Sequence, residues 1–148
     1  MDGMDGKQLN TTSLAYLGDA VYEVYIRMYV MQKNAANVDM LHRRAVAFVR
    51  ADAQASCMKR LMKEKDEKEN LCKDDFHLTE EEAALVRRAR NKKSASRPQN
   101  ADPVLYKWAT AFEALIGYLY LTKQEARLRQ LVKTAVAQIE GKPIKDNF

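Results

Sequence analysis

The stretch Leu14-Ala15-Tyr16-Leu17-Gly18-Asp19-Ala20-Val21-Tyr22-Glu23 constrains the fold more than any other. Leu14, Leu17, Val21, Val24 and Tyr25 recur at three- and four-residue spacing, the period of one helix face. Gly18 and Asp19 interrupt it: glycine costs about 1 kcal/mol relative to alanine inside a helix, and aspartate is also a poor interior residue. Ala15 lies one turn back and Ala20 next along. The Asp19 carboxylate is therefore expected to face a tight, partly buried space, where it needs a cation or hydrogen-bond donors. A lysine or arginine partner would satisfy that need.

A second stretch points elsewhere. Residues 110–120 again read as an apolar helix carrying a single acid, Glu113, with a small residue, Gly117, one turn later. Two such helices in a chain of 148 residues are expected to pack together. Facing carboxylates raise each other's pKa unless a cation lies between them. Ligation by one or two carboxylates plus water suits Mg²⁺, which keeps much of its hydration and engages substrate phosphates. In outline this is a site for phosphodiester cleavage.

The rest of the chain sets the fold class. No segment alternates convincingly as a strand, and 5 glycines and 3 prolines are few for an all-β plan. The reading is all-α. A first helix is expected from about Ser13 to Gln32, capped by Thr11, Thr12 or Ser13. Residues 38–65 form one helix or two with a bend near Val49, and 63–75 read as a charged surface connection. Thr79 and Glu82 make a capping box, opening a helix that ends near Lys93. A loop at 94–101 leads to Asp102-Pro103, an N-cap followed by proline at the first helical position. That helix runs to about Leu121, and a last one spans about Gln124 to Glu140 with Gly141 as its stop. One domain over 9–141 is expected, with a flexible N-terminus at 1–8 and a short tail at 142–148.

Hydrophobic residues make up 47% and charged residues 30%, ordinary for a soluble globular chain and too apolar for a disordered one. The first residues lack the positive and apolar regions of a signal peptide, and no apolar run is long enough to span a membrane. A cytoplasmic location follows as an expectation, with Cys57 and Cys72 as reduced thiols. A net charge of +5 makes a polyanionic partner plausible. Arg87, Arg88, Arg90, Lys92, Lys93 and Arg97 place six positive charges in eleven residues with no acid. Basic residues at a helix end complement its dipole, but this run continues beyond the helix, so phosphate contact is favoured. Tyr16, Tyr22, Tyr25, Tyr29, Tyr106, Trp108, Tyr118 and Tyr120 lie on apolar helices and are expected in the core or at a subunit interface.

Leu17-Gly18-Asp19-Ala20-Val21 resembles the signature of the ribonuclease III endonuclease domain, and Phe112-Glu113-Ala114-Leu115-Ile116-Gly117 resembles its second metal-binding helix. From about Leu9 to Glu140 the chain is similar to the short-form branch, the Mini-ribonuclease III proteins. Leu78-Thr79-Glu80-Glu81-Glu82 and Arg88-Ala89-Arg90-Asn91-Lys92-Lys93-Ser94 support that branch specifically.

The resemblance implies an all-helical, homodimeric endoribonuclease cleaving double-stranded RNA. It implies Mg²⁺ held by Asp19 and Glu113, and a substrate in the large-subunit (23S) ribosomal RNA precursor, matured at both ends. Standard members carry further acids at positions matching Thr12, Ala15 and Thr110, so water and RNA phosphates would complete the coordination. Glu23 and Thr110 are candidates to hold water near the ion, although Glu23 is equally placed to pair with Arg27 one turn on. Standard members also have a separate double-stranded-RNA-binding domain; here RNA contacts are expected from the catalytic domain and its loops. The rival is a catalytically inactive RNA-binding or ribosome-associated module, for which the missing acids speak. A helical hydrolase of small phosphoesters is a third class, which the basic run does not favour.

Overall fold

A computed structural model describes residues 9–33, 37–67, 76–93, 100 and 102–144. The expected flexible N-terminus, Cys72 and most of the connector after α3, nearly all of loop 94–101 with Arg97, and residues 145–148 lie outside that set. Six helices follow in order: α1 Thr11–Lys33, α2 Val38–Val49, α3 Ala51–Glu67, α4 Glu80–Asn91, α5 Pro103–Leu121 and α6 Glu125–Glu140. The described residues contain no strand.

Several ends are set by the expected chemistry. Thr79 accepts from the Glu82 amide at 3.1 Å while the Glu82 carboxylate accepts from the Thr79 amide at 2.8 Å, a complete capping box. Asp102 caps α5 by accepting from the amides of Val104 and Leu105, with Pro103 just inside. Gly141 ends α6 at φ 74°, the left-handed conformation that glycine adopts without strain. At the start of α1, however, the cap is Asn10, not a residue from 11 to 13. Its side-chain oxygen accepts from the Thr12 amide at 2.8 Å and its carbonyl from Leu14.

The 38–65 stretch is two helices, broken at Arg50 in an extended conformation (φ −62°, ψ 144°). No glycine or proline marks the break. The buried Tyr22 hydroxyl donates to the Phe48 carbonyl at 3.2 Å, supplying a donor to a carbonyl that has left the helical ladder. The partner is 26 residues away, so local pattern could not reveal it.

α5 is buried almost all round, as its lack of a polar face demands: Ala109, Ala111, Phe112 and every residue from Ala114 to Leu119 are in the core. α1 makes the most extensive pairing with it, and α3, α4 and α6 also pack against it. The sole acid of α5, Glu113, is thus carried on the central helix of the domain.

Candidate active site

Gly18 and Gly117 explain how two carboxylates meet on apolar helices. A Cβ built at Gly18 would fall 1.7 Å from the Glu113 carbonyl oxygen, and one at Gly117 would fall 2.0 Å from the Leu14 carbonyl oxygen. The helices therefore cross backbone to backbone, closer than any side chain permits. Tyr22 and Phe112 then pack edge to face beside the crossing, ring centroids 5.0 Å apart. The propensity cost of Gly18 is offset by the burial this approach allows.

Asp19 follows Gly18 directly and Glu113 is one turn before Gly117, so the crossing brings their carboxyl groups within hydrogen-bonding reach. Burial is the larger influence on Glu113, and the hydrogen bond and charge of Asp19 add to it; together they push its pKa up to about 8. Asp19 is not in the tight, partly buried space expected of it. It is exposed, because Leu14, Ala15, Gly18, Val21 and Tyr22 form the packed face of α1 and Asp19 lies at its rim. Glu113, half-buried, takes the enclosed side.

Among the described residues no three or more His, Cys, Asp or Glu side chains gather. Thr12 is exposed and Ala15 buried, while Thr110, three residues before Glu113, is half-buried. Glu23 is held by Arg27 at 3.0 Å, both partly exposed. His42 and His77 are exposed and belong to no such group. Cys57 is a free, buried thiol whose pKa burial pushes up to about 12, so it stays protonated and inert.

The basic run resolves into distinct environments. Arg87 pairs with Asp66 at 2.9 Å, so its charge is compensated within the protein. The Arg90 guanidinium lies over the Trp108 ring, 5.0 Å from its centroid, tying α4 to α5. Arg88 donates to the Leu9 carbonyl at 3.4 Å. The Lys92 ammonium donates to Asn10 Oδ1 at 2.7 Å and Thr12 Oγ1 at 3.0 Å. Lys93 is exposed. The basic end of α4 thus leans on both helices that carry the carboxylates. A further device escaped the sequence reading: Arg127 of α6 binds Glu82, only 2% exposed, at 3.1 Å through Nε, donates to the His77 carbonyl and covers the Phe76 ring. The glutamate of the capping box thereby also fastens α4 to α6.

The tyrosines divide as well. Tyr22, Tyr29 and Tyr118 are in the core, whereas Tyr16 is 85% exposed and Tyr120 is also outside. Tyr16, Ala20, Val24, Met28 and Met31 recur at three- and four-residue spacing and form an exposed apolar stripe on α1. No helix among the described residues is long and apolar enough to cross a membrane.

Comparison with known proteins agrees with this architecture. The family model described as Ribonuclease III domain matches residues 12–124. The chain is 42% identical over 135 residues to a Mini-ribonuclease 3 of Enterococcus faecalis, covering 91% of this chain and 94% of that one. It is 36% identical over 138 residues to a Mini-ribonuclease 3 of Streptococcus pneumoniae, covering 93% and 99%. The crystal structure of a Fusobacterium nucleatum protein superposes with a TM-score of 0.71 at 30% identity, covering 89% of this chain and 95% of that one. With the family model spanning both carboxylate-bearing helices, this chain belongs to the ribonuclease III family, in its Mini-ribonuclease 3 branch.

Proposed function

We propose that this endoribonuclease of the ribonuclease III family hydrolyses phosphodiester bonds in double-stranded RNA at the Asp19–Glu113 pair. The observation that carries the reading is the glycine-to-glycine crossing, which holds two carboxyl groups together at a rim open to a large substrate. Bound Mg²⁺ would supply a nucleophile from water and stabilise charge on the phosphate and leaving oxygen. The donor set fits: two adjacent carboxylates, one with a raised pKa, are relieved by a divalent cation, and Mg²⁺ is content with few protein ligands. Asp19 and Glu113 would hold the ion, and Thr110 and Glu23 would hydrogen-bond water beside it, Glu23 while also paired with Arg27. Arg88, Arg90, Lys92, Lys93 and Arg97 contact phosphates, with Arg87 the weakest contributor because Asp66 already pairs with it. Double-stranded RNA suits such a surface, since it is bound through shape, phosphates and 2′-hydroxyls.

The natural substrate is proposed to be the large-subunit ribosomal RNA precursor, cut in the cytoplasm near both ends. Incubating purified protein with that precursor in Mg²⁺ or in EDTA tests the reading: products only with Mg²⁺ support it. No cleavage in either would favour the inactive binding module.

The raised pKa of Glu113 fixes a pH dependence. Between the ordinary value of 4.5 and about 8 the folded chain keeps a proton that the unfolded chain has released. Metal-free stability is therefore expected to fall as pH rises through that window and to level off above it. Mg²⁺ competes with the same proton, so its affinity should climb up to about tenfold per pH unit below 8 and flatten above. Calorimetric titration at about pH 6, 7, 8 and 9 reads this directly. Equal affinity at the lower and upper ends of the window would remove Glu113 from the ligand set.

A homodimer is also proposed, through the exposed stripe of Tyr16, Ala20, Val24, Met28 and Met31. Of the apolar residues on α1, Leu14, Val21, Tyr22, Ile26, Tyr29 and Val30 lie in the core and Leu17 and Tyr25 pack against it, whereas this stripe is left exposed. It adjoins Asp19, so pairing through it would set two sites side by side. Light scattering is expected to give twice 17.0 kDa for the wild type and 17.0 kDa for Val24→Glu. A wild-type monomer at micromolar concentration would overturn this.

A further inference from the structure

We propose that Asn10 and Thr12 are positioning residues for RNA cleavage, clamping the Lys92 ammonium at a fixed remove from the Asp19–Glu113 pair; this rests on the reading of Lys92 as a phosphate contact. Lys92 is the C-cap residue of α4, yet its Nζ reaches 82 residues back to Asn10 Oδ1 at 2.7 Å and 80 back to Thr12 Oγ1 at 3.0 Å. The dipole of α4 favours a cation at its C-terminus but does not carry the ammonium to α1, whose N-terminal turn disfavours a cation and contains no acid.

Both acceptors are neutral. They use two of the three ammonium donors, and since no acid among the described residues pairs with Lys92, they leave the charge uncompensated there, with one N–H to give. A carboxylate at residue 12 would cancel the charge, whereas a hydroxyl orients it. Asn10 Oδ1 is itself fixed, because it also accepts from the Thr12 amide at 2.8 Å. Thr12 stands seven residues before Asp19 on one continuous helix, roughly 10 Å of rise. α1 is thus a ruler: one end carries a clamped cation, and its middle carries the carboxylate. The RNA strand gripped at Lys92 presents a set phosphodiester to the pair, and without the clamp the same charge would sweep a wide arc on a flexible stem.

The clamp can be removed with little disturbance to folding. Thr12→Val keeps shape and loses the hydroxyl, and glycine is nearly as good as asparagine at a helix N-cap, so Asn10→Gly loses the acceptor and keeps the cap conformation. In the Asn10→Gly/Thr12→Val variant, RNA affinity and its salt slope are expected to stay near wild type, because the charge remains. Single-turnover cleavage at saturating RNA and Mg²⁺ should fall by about tenfold or more, as misplacing a reactive group costs that and beyond. The companion variant Asn10→Gly/Thr12→Ser, which restores the hydroxyl, should recover much of the loss. Lys92→Ala should lose as much rate and also about 0.7–0.9 of the log–log salt slope, and adding the clamp changes to Lys92→Ala should cost nothing more. A clamp variant that cuts at the wild-type rate, or whose loss adds in full to that of Lys92→Ala, overturns the proposal. Should Lys92→Ala itself leave the salt slope and rate unchanged, the phosphate-contact reading falls, and the clamp with it.

Discussion

Asp19→Asn is expected to lower cleavage by several orders of magnitude while RNA binding and folding survive. Asparagine keeps the size of the side chain and can still hydrogen-bond to Glu113, but it removes half the negative charge that would hold a divalent ion. That ion is assigned both the nucleophile and the charge stabilisation, so its loss removes the chemistry rather than trimming it. Glu113→Gln should behave alike. The two act as one ligand set, so the double variant should lose little more than either single one. Metal-free stability should hold or rise, because burial first and the neighbouring Asp19 second push Glu113 up to about 8, and each change removes one of the two carboxyl groups involved. In Glu113→Gln the fall of metal-free stability between the ordinary carboxylate range and about 8 should vanish, and the pH dependence of Mg²⁺ affinity should vanish with it only if Glu113 is a ligand. Single-turnover kinetics with Mg²⁺ titration measures the effect. If Asp19→Asn cuts at near the wild-type rate in low Mg²⁺, Asp19 is not a ligand; if the wild type never cuts, the two carboxylates belong to a binding module.

The pair was legible as two sequence oddities, Asp19 and Glu113, each alone on an apolar helix beside small residues. What the pattern could not supply was which of them is enclosed. That depends on how α1 and α5 are rotated about their crossing, and the rotation leaves Asp19 at the rim and Glu113 half-buried. Helix ends governed by local chemistry, such as Thr79 with Glu82, Asp102 with Pro103 and Gly141, stood in the sequence because their partners are within a few residues. The break at Arg50 did not, since Tyr22 supplies the missing donor from another helix. The basic run illustrates the same limit. Its composition announced a charged surface, but only tertiary contacts distinguish Arg87, paired with Asp66, from Lys92, hydrogen-bonded to the neutral side chains of Asn10 and Thr12.

The largest effect on stability is expected from adding one methyl group at the crossing. In an ordinary exposed helix, Gly→Ala gains about 1 kcal/mol. At Gly18 and Gly117 the new Cβ would meet main-chain atoms of the other helix, 1.7 Å from the Glu113 carbonyl oxygen and 2.0 Å from the Leu14 carbonyl oxygen. Backbone cannot rotate aside as a side chain does, so α1 and α5 would have to move apart by an ångström or more. Overpacking a core costs typically about 1–3 kcal/mol and sometimes more, and here it strikes the most extensive helix pairing of the domain. Gly18→Ala and Gly117→Ala are each expected to cost at least about 3 kcal/mol, a large part of the roughly 5–15 kcal/mol that holds a domain folded. Gly141→Ala is the contrast. Its φ of 74° carries strain of about 1–2 kcal/mol for a residue with a Cβ, but among the described residues nothing beyond its chain neighbours lies within 4 Å of the added Cβ, so the strain is the expected cost. Urea unfolding midpoints should therefore rank wild type above Gly141→Ala and both well above the crossing variants. Where Gly18→Ala is still folded, at low temperature, the parted helices should also lower the pKa of Glu113 and weaken Mg²⁺ binding. A Gly18→Ala midpoint equal to that of the wild type would mean that the helices do not cross at backbone contact, and the geometry that joins Asp19 to Glu113 would fall with it.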